Sequence, residues 1–570
     1  MNAARYLTLL LTSLMLLLLN SAQANQSGTN TFSHYAITHK AMVASDQHLA
    51  TQVGLNILKQ GGNAIDAAVA VAYALAVVHP CCGNIGGGGF MLMQLANGQF
   101  IFLNFREKAP IAASSALFLE SNGSANSKKI SKGYLSVGVP GTVLGLNTAL
   151  KNYGTMTLAQ VMAPAIALAE KGYLLTPGDV EFFSTVVNDF REQSNLAAIF
   201  LKNNQAYQTG DRLIQSNLAK SLQTISKKGS DAFYKGPLAD KIVASTRANG
   251  GILTTKDFSQ YSIEKLSPVS CQYRGYVIYS APPPSSGGTI LCEMLNILQA
   301  YPLKYDGFHT AKTIHYLAEA MRQAYADRNT QLGDPDFIQN PIDRLLSKEY
   351  ASILRARILN VMAWPIQGKS SNTVESTHTT HYSIVDGLGN SVAMTYTIDS
   401  FFGSKVIASD TGFFLNNEMD DFTIKIGVPN QFGLEQGFAN KIQPGKRPLS
   451  SMTPTIVTKD GKTVMVLGSP GGSTITTTVL QVLLNVIDHG MNLQQAIDAP
   501  RIHFQGQPNI LFYEPGALSQ LTQIELSLMG YTLETNNRWG AVQAISIDPN
   551  THTLYGASDI RRPAAQAAGY

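Results

Sequence analysis

No cluster of lysine or arginine residues follows any segment of this 570-residue sequence, and charged residues of both signs are scarce. They make up 14% of the chain, and the formal net charge at pH 7 is +4. Proteins that bind nucleic acid need a concentrated basic surface for the phosphates. The composition therefore argues against a nucleic-acid partner. The hydrophobic fraction of 45% supports an extensive core in one very large domain or several.

Cysteine is also scarce, with four residues and no Cys-x-x-Cys pair. Cys81 and Cys82 are adjacent, which strains a bond between them. Cys271 and Cys292 could pair, but the sequence alone does not decide whether they do. We therefore expect disulfides to be incidental to this fold.

Motifs for cofactors and metals are missing as well. The glycine run Gly86–Gly89 follows a predicted helix and lacks the Gly-x-Gly-x-x-Gly context of a dinucleotide site, so we interpret it as tight packing. His378 and His381 would face opposite ways on a strand and make a poor metal pair. We expect neither a cofactor nor a metal.

The N-terminus has the pattern of a secretory signal peptide. Arg5 precedes an apolar run, Tyr6–Leu19, and Ala22–Ala24 is a small-x-small cleavage site, so the mature chain should begin at Asn25. An uncleaved anchor is the alternative, but the run is short for a bilayer span. We expect a periplasmic or secreted protein with no membrane anchor after cleavage of residues 1–24. The apolar segment Ala64–Val78 is too short to span a membrane and is predicted to be a core helix.

The periodicity of the mature sequence predicts an α+β protein. Two helices open it, at about residues 46–60 and 64–78, and a strand pair follows at 90–95 and 100–105. The middle third, about 142–351, is mostly helical by period. Beyond it come short alternating strands and one more helix pair, about 474–489 and 493–499. Strands with flanking helices suggest two sheets between helical layers.

A threonine pair, Thr379-Thr380, marks the junction between a Ser/Thr-rich stretch and a predicted hairpin, 383–397. The sequence contains no Gly-x-Ser-x-Gly elbow, so a serine hydrolase of that type is excluded. If the His378–Thr379 bond is cut, Thr379 carries both a hydroxyl and a free α-amine. That amine, with an ordinary pKa of about 8, can act as general base to its own Oγ. Taken alone, a threonine pair in a strand reflects strand propensity.

Several longer strings make the interpretation specific. From about Ser45 to Tyr570 the chain resembles the γ-glutamyltransferases (glutathione hydrolases). The strings that carry the resemblance are His79-Pro80, Gly83–Phe90 (GNIGGGGF), Phe105–Glu107 (FRE), Val139–Thr142 (VPGT), Pro282–Gly288 (PPPSSGG), Thr379–Ser383 (TTHYS), Leu415–Phe422 (LNNEMDDF), Arg447–Met452 (RPLSSM), Gly468–Gly472 (GSPGG) and Gly556–Asp559 (GASD).

This resemblance implies a fold and a maturation route. The expected fold is the four-layer αββα sandwich of the N-terminal nucleophile (Ntn) hydrolases. A precursor would cut itself into a large subunit, residues 25–378, and a small subunit, residues 379–570, and the two would form a heterodimer. The implied reaction moves the γ-glutamyl group of glutathione or another γ-glutamyl donor, through an ester on Thr379, to water, an amino acid or a peptide.

The resemblance also implies which residues support the nucleophile. Thr397, on the facing strand, would hydrogen-bond Thr379. Gly471 and Gly472 precede a predicted helix, where unhindered N–H groups can form an oxyanion hole. Without the resemblance, the two glycines would be interpreted as a simple turn.

A γ-glutamyl donor carries an α-carboxylate and an α-ammonium far from the scissile carbonyl, and a site must hold both charges. By resemblance, Arg106 would bind the carboxylate with its bidentate fork, and Ser450 and Ser451 would add hydroxyl donors. Glu418 and Asp421 would bind the ammonium. Each of these residues taken alone could be a solvated or structural group.

Two positions depart from the family pattern. Asp399 stands where relatives commonly have Asn, and Phe432 stands in the lid loop where bacterial relatives often have Tyr. The Tyr–Asn hydrogen bond that closes the pocket in those relatives cannot form from Phe432. We therefore expect a more open and more acidic pocket, with Asp399 near the donor ammonium.

Two alternatives remain at this stage. A glutaryl-cephalosporin acylase of the same fold is disfavoured by Glu418 and Asp421, because a glutaryl group has no ammonium to pair with them. An uncleaved, inactive homologue that only binds γ-glutamyl compounds is the other.

Overall fold

The computed structural model describes residues 32–358 and 378–570. The predicted signal peptide and most of the Ser/Thr-rich stretch before His378 lie outside these residues. From Ser33 onward, the described residues form one unit.

Two seven-stranded sheets form the centre of the molecule. Their orders are β1-β20-β19-β15-β14-β11-β10 and β21-β2-β12-β13-β3-β4-β9, and neighbouring strands in both are antiparallel. Three small sheets, β16-β17-β18, β5-β8 and β6-β7, lie outside them. The strands are β1 Tyr35–Thr38, β2 Met42–Ser45, β3 Gly88–Gln94, β4 Phe100–Phe105, β5 Tyr173–Leu174, β6 Leu201–Lys202, β7 Gln205–Ala206, β8 Arg212–Leu213, β9 Glu264–Leu266, β10 Val269–Tyr273, β11 Tyr276–Ser280, β12 Thr380–Val385, β13 Ser391–Thr397, β14 Thr455–Lys459, β15 Lys462–Gly468, β16 Ile502–His503, β17 Leu511–Tyr513, β18 Leu533–Thr535, β19 Gln543–Ile547, β20 Leu554–Ser558 and β21 Gln566–Gly569.

Side-chain alternation along the strands creates three apolar layers. On β3, Phe90 and Leu92 point between the sheets, whereas Met91 and Met93 point to the helices on the other face. On β15, Val466 lies between the sheets and Leu467 faces the second helical layer. The predicted four-layer αββα sandwich is thus confirmed.

Helices cover the outer face of each sheet. Ala64–Val78 is buried along its whole length against the sheet that contains β12 and β13. Its capping box, formed by Asn63 and Asp66, fixes where it begins. The opposite layer is built mainly by three helices, Gly287–Leu298, Ala311–Gln331 and Ile475–Ile487. The α-helices are His48–Lys59, Ala64–Val78, Ser127–Ser131, Thr142–Tyr153, Leu158–Lys171, Pro177–Ser184, Val187–Arg191, Ser194–Phe200, Ser216–Lys228, Asp231–Tyr234, Pro237–Ala248, Thr255–Ser259, Gly287–Leu298, Leu303–Asp306, Ala311–Gln331, Ile342–Leu345, Lys348–Ala356, Ile475–Ile487, Leu493–Asp498 and Gln520–Leu528.

Both sheets contain strands from before and from after Thr379. In the second sheet, β12 and β13 lie between β2 and β3, which precede them in the chain by some 300 residues. A cut before Thr379 would therefore leave two chains that share both sheets. Neither chain could bury its strand edges alone, which explains why the predicted subunits should stay together.

The structure corrects two expectations. The middle third is less helical than its period predicts, because β9, β10 and β11 lie at 264–280 and complete the edges of both sheets. Both cysteine pairs, Cys81–Cys82 and Cys271–Cys292, are disulfide-bonded, whereas the sequence predicted strain in a bond between the adjacent cysteines and only an incidental role for disulfides.

The glycine run packs tightly, as predicted. A Cβ on Gly86 would lie 2.0 Å from the carbonyl oxygen of Phe414, and one on Gly87 would lie 1.9 Å from that of Thr397. Within the described ranges, every helix is too short or too polar to cross a bilayer.

Candidate active site

Thr379 lies immediately before β12, where the hairpin register brings it beside the last residue of β13. Thr380 is opposite Tyr396, so the next position along pairs Thr379 with Thr397. Their hydroxyl oxygens are 2.9 Å apart, and both residues are buried. The backbone N–H of Asp399 donates to the Thr397 hydroxyl at 2.8 Å. That bond occupies a lone pair of Thr397 and fixes its side chain toward Thr379.

The backbone at Thr379 is strained. Its φ is +83°, a region that β-branched residues avoid because Cβ collides with the backbone. Such a conformation costs ~1–3 kcal/mol and persists only where the surrounding structure enforces it.

Gly471, one of the two glycines predicted as oxyanion donors, lies beside the peptide bond between His378 and Thr379. The N–H of Gly471 donates to the carbonyl oxygen of His378 at 3.1 Å, so the carbonyl of the His378–Thr379 peptide bond is polarised. Gly471 has φ +139° and Gly472 has φ +57°, which side chains other than glycine tolerate poorly. Gly472 lines the cavity together with Thr379.

Arg106 and the two predicted ammonium ligands meet at the far end of the cavity, but they contact one another. The Arg106 guanidinium, at the end of β4, pairs with Glu418 through Nη1 and with Asp421 through Nη2. Its Nε donates to the carbonyl of Pro448 at 3.3 Å. The structure thus brings these three predicted site residues together as one ion-paired cluster.

Acidic groups outnumber the guanidinium at this end. One carboxyl oxygen from each of Asp399, Glu418 and Asp421 lies within 4.8 Å of the other two. Burial raises the pKa of Asp399 well above its usual range, and the charges of Asp421 and Glu418 raise it further. Burial also raises the pKa of Glu418 well above normal, against the lowering effect of Arg106.

The two predicted serines lie on the same side as Arg106. Ser451 Oγ accepts a hydrogen bond from Arg328 Nη2 at 3.1 Å, and Ser450 Oγ accepts from the N–H of Met452 at 3.1 Å. Both side chains line the cavity together with Arg106 and Thr379.

The lid loop, residues 427–437, closes over this cavity. Phe432 is buried, 6% exposed, and packs against Gly472. Its neighbour Gln431 donates from Nε2 to Asp399 Oδ2 at 2.5 Å and accepts from Ser400 Oγ at 2.7 Å. A water-sized sphere can occupy only about 20 Å³ of the cavity, room for about one water molecule. The loop is thus closed against Asp399 despite Phe432, and the expected openness is not seen in this state.

The sequence comparisons agree with this geometry. A family model described as gamma-glutamyltranspeptidase matches residues 50–569. The chain belongs to the gamma-glutamyltranspeptidase family. It is 51% identical to a glutathione hydrolase proenzyme of Pseudomonas sp. (strain A14), covering 99% of this chain and 98% of that protein. It is 46% identical to the glutathione hydrolase proenzyme of Escherichia coli (strain K12), covering 94% and 93%.

A solved structure of an enzyme named for a different activity is also similar. The crystal structure of a cephalosporin acylase from Bacillus halodurans matches with a TM-score of 0.84 and 30% identity, over 96% of this chain and 98% of that one. Membership of the gamma-glutamyltranspeptidase family establishes the enzyme class and the Ntn fold. Because a cephalosporin acylase shares this fold, the residues of the site, rather than the fold, distinguish one acyl donor from another.

Three residues at the site of this gamma-glutamyltranspeptidase family member carry no signal in the sequence. Arg328 lies on the helix Ala311–Gln331, where an arginine is normally solvated, yet it is buried and bonds Ser451. Gln431 lies in a polar loop. Asp46 follows β2 and accepts a hydrogen bond from Thr380. Only the tertiary contacts identify them.

Proposed function

We propose that this chain is the precursor of an exported enzyme that takes the γ-glutamyl group from glutathione and related donors and passes it to water, an amino acid or a peptide. The observation that carries the proposal is the position of the Thr379 hydroxyl. It lies 2.9 Å from Thr397 Oγ, in the residue that follows a carbonyl polarised by Gly471, and Thr379 lines the same acidic cavity as Arg106.

The first reaction is self-cleavage. Thr379 Oγ attacks the carbonyl carbon of His378, and the Gly471 N–H stabilises the negative oxygen. The C–N bond then breaks, the hydroxyl proton passes to the Thr379 nitrogen, and water hydrolyses the resulting ester. The products are the chains 25–378 and 379–570. The signal-like residues 1–24 support removal of the first segment and a periplasmic or secreted location.

After cleavage, the Thr379 amine becomes the base for its own hydroxyl. The nearby imidazoles are poor candidates for this role, because burial lowers the pKa of His378 and of His381 to about 3. Thr397 orients the nucleophile, and Gly471 with Gly472 supply the oxyanion site. The γ-glutamyl ester on Thr379 then passes to water or to an amine acceptor.

Charge balance favours a γ-glutamyl donor. Arg106 faces Glu418, Asp421, Glu107 and, through space, Asp399, so the cavity holds more acid than base. The α-ammonium of a γ-glutamyl group relieves this excess, while its α-carboxylate takes the guanidinium together with the hydroxyls of Ser450 and Ser451. A glutaryl donor brings only a carboxylate and would add to the excess. We therefore place the acylase reaction second.

The decisive experiment compares wild type with Thr379→Ala on a denaturing gel. Wild type should give two chains, and Edman sequencing of the smaller should begin at Thr379. Thr379→Ala should stay whole and inactive, whereas Thr411→Ala, a buried threonine outside the cavity, should be cleaved normally. A small chain with any other first residue would overturn the assignment.

Activity then separates the remaining alternatives. Mature enzyme should release glutamate from glutathione, and a dipeptide acceptor should increase consumption of the donor. A two-chain protein that cleaves a glutaryl amide faster than the matching γ-glutamyl amide would favour the acylase. A single-chain protein that binds glutathione without turnover would favour the inactive homologue.

A further inference from the structure

Asp46 lies directly behind the strand that begins with Thr380. It is the first residue after β2, where the ladder between β2 and β12 stops at the pair Ser45 and Tyr382. Beyond that pair, the Asp46 carboxylate, instead of backbone carbonyls of β2, accepts the hydrogen bonds of β12. Its Oδ2 accepts from Thr380 Oγ1 at 2.7 Å and from the N–H of His381 at 3.3 Å.

The opposite oxygen of Asp46 is fixed by the other sheet. Gln543, the first residue of β19, donates from Nε2 to Asp46 Oδ1 at 2.7 Å. Asp46 and Thr380 are fully buried. Burial raises the pKa of Asp46 to about 6, while the charge of Arg562 lowers it, so the carboxylate is predominantly ionised at neutral pH. Hydrogen bonds to a buried charged acceptor are stronger than neutral ones.

The strained residue Thr379 is therefore held from both sides. Upstream, the His378 carbonyl is bound by Gly471; downstream, Thr380 is bound by Asp46. A positive φ at a β-branched residue relaxes unless its flanks are fixed. Cleavage removes the strain. The angle φ of Thr379 is the torsion about its N–Cα bond measured from the carbonyl carbon of His378, and it no longer exists once that carbon has left.

From this arrangement we infer that Asp46 is a positioning residue for self-cleavage and for the mature nucleophile. In the precursor it holds Thr379 in its strained conformation, with Oγ 2.9 Å from that of Thr397. In the mature enzyme it ties the second residue of the small subunit to the large subunit. It does not touch the reacting atoms and does not line the donor cavity. The inference rests on the proposed cleavage at His378–Thr379.

The test measures the rate of precursor cleavage. Precursor made by cell-free translation is sampled over time on denaturing gels, for wild type and for Asp46→Ala. We expect cleavage at least ~10-fold slower in the variant, equal to ~1.4 kcal/mol of activation free energy. The matched control is Asp386→Ala. Asp386 is a buried carboxylate at the far end of the same hairpin, where it accepts from the N–H of Ala64 at 2.8 Å. It should not slow cleavage.

A second pair of variants avoids an empty space at position 46. Thr380→Val removes the hydroxyl with little change of shape and should also slow cleavage. Thr380→Ser keeps the hydroxyl and should be cleaved at the wild-type rate. In the matured fraction of Asp46→Ala, kcat should fall while KM for a γ-glutamyl donor stays unchanged. A purely structural role would lower the melting temperature without this selective pattern.

The possible failures are distinct. If wild type is not cut before Thr379, the proposed function itself fails. If wild type is cut there, and Asp46→Ala and Thr380→Val are cut at the same rate, Asp46 has no positioning role. Equal slowing by Asp386→Ala would likewise overturn the inference, because general loosening of the hairpin would then explain the effect.

Discussion

The hydrogen bond between Gln431 and Asp399 should determine how tightly the lid loop closes over a bound donor. Gln431→Glu would place two carboxyl groups 2.5 Å apart where an amide now donates to a carboxylate. Losing a hydrogen bond to a charged group costs ~1.5–3 kcal/mol, which corresponds to a factor of ~10–150. We therefore expect KM for a γ-glutamyl donor to rise by ~10-fold or more at pH 8.

Adding Asp399→Asn to this variant should reverse most of the loss. The amide would then be at position 399 and the carboxylate in the lid loop, so the same hydrogen bond forms with donor and acceptor exchanged. The Ser400 hydroxyl, which now donates to Gln431 Oε1, can donate equally well to a glutamate.

The assay is steady-state release of a chromogenic amine from a γ-glutamyl anilide, with self-cleavage checked on a gel for each variant. Glu435→Gln changes an exposed charge on the same loop and serves as the control, with KM expected to stay at the wild-type value. Either a wild-type KM in Gln431→Glu, or a double variant no better than Gln431→Glu alone, would refute the closing role of this bond.

Three further predictions concern the donor site and the nucleophile. Arg106→Lys keeps the charge but loses the planar guanidinium that contacts both Glu418 and Asp421. KM for γ-glutamyl donors should therefore rise by ~10-fold or more, with self-cleavage intact. An unchanged KM would show that Arg106 has a structural role only. Thr397→Val removes the hydroxyl 2.9 Å from Thr379 Oγ and should lower kcat by ~2–12-fold, the range for a neutral hydrogen bond, with KM unchanged; a KM effect alone would contradict this. Burial and the charges of Asp421 and Glu418 raise the pKa of Asp399 well above its usual range, so protonation of this carboxyl as the pH falls should weaken donor binding. Asp399→Asn should flatten the resulting fall in kcat/KM, and identical pH profiles of wild type and variant would refute the coupling.

Local sequence patterns predicted the elements that carry the nucleophile. Alternation and an Asn/Gly turn are sufficient for the hairpin of β12 and β13, and the capping residue Asn63 is sufficient for the start of the helix Ala64–Val78. Where several strands are short and lie among helices, the pattern fails. Strands β10 and β11 pair with each other, but β9 joins its sheet through β4 and β11 joins the other through β14, and both of these partners lie far away in the chain.

The order and spacing of motifs determined the family, the fold and the position of the nucleophile, because each of these depends on residues close together in the chain or on strings that resemble relatives. Contacts across hundreds of residues depended on the tertiary structure. Arg106 pairs with Glu418 across 312 positions, and Asp46 bonds Thr380 across 334. Whether such a charge meets solvent, a substrate or another side chain is decided by packing of the two sheets, since only burial removes the water that would otherwise solvate it. The identity of the nucleophile could therefore be predicted from the sequence, while the arrangement of charged groups around it was determined by the tertiary structure.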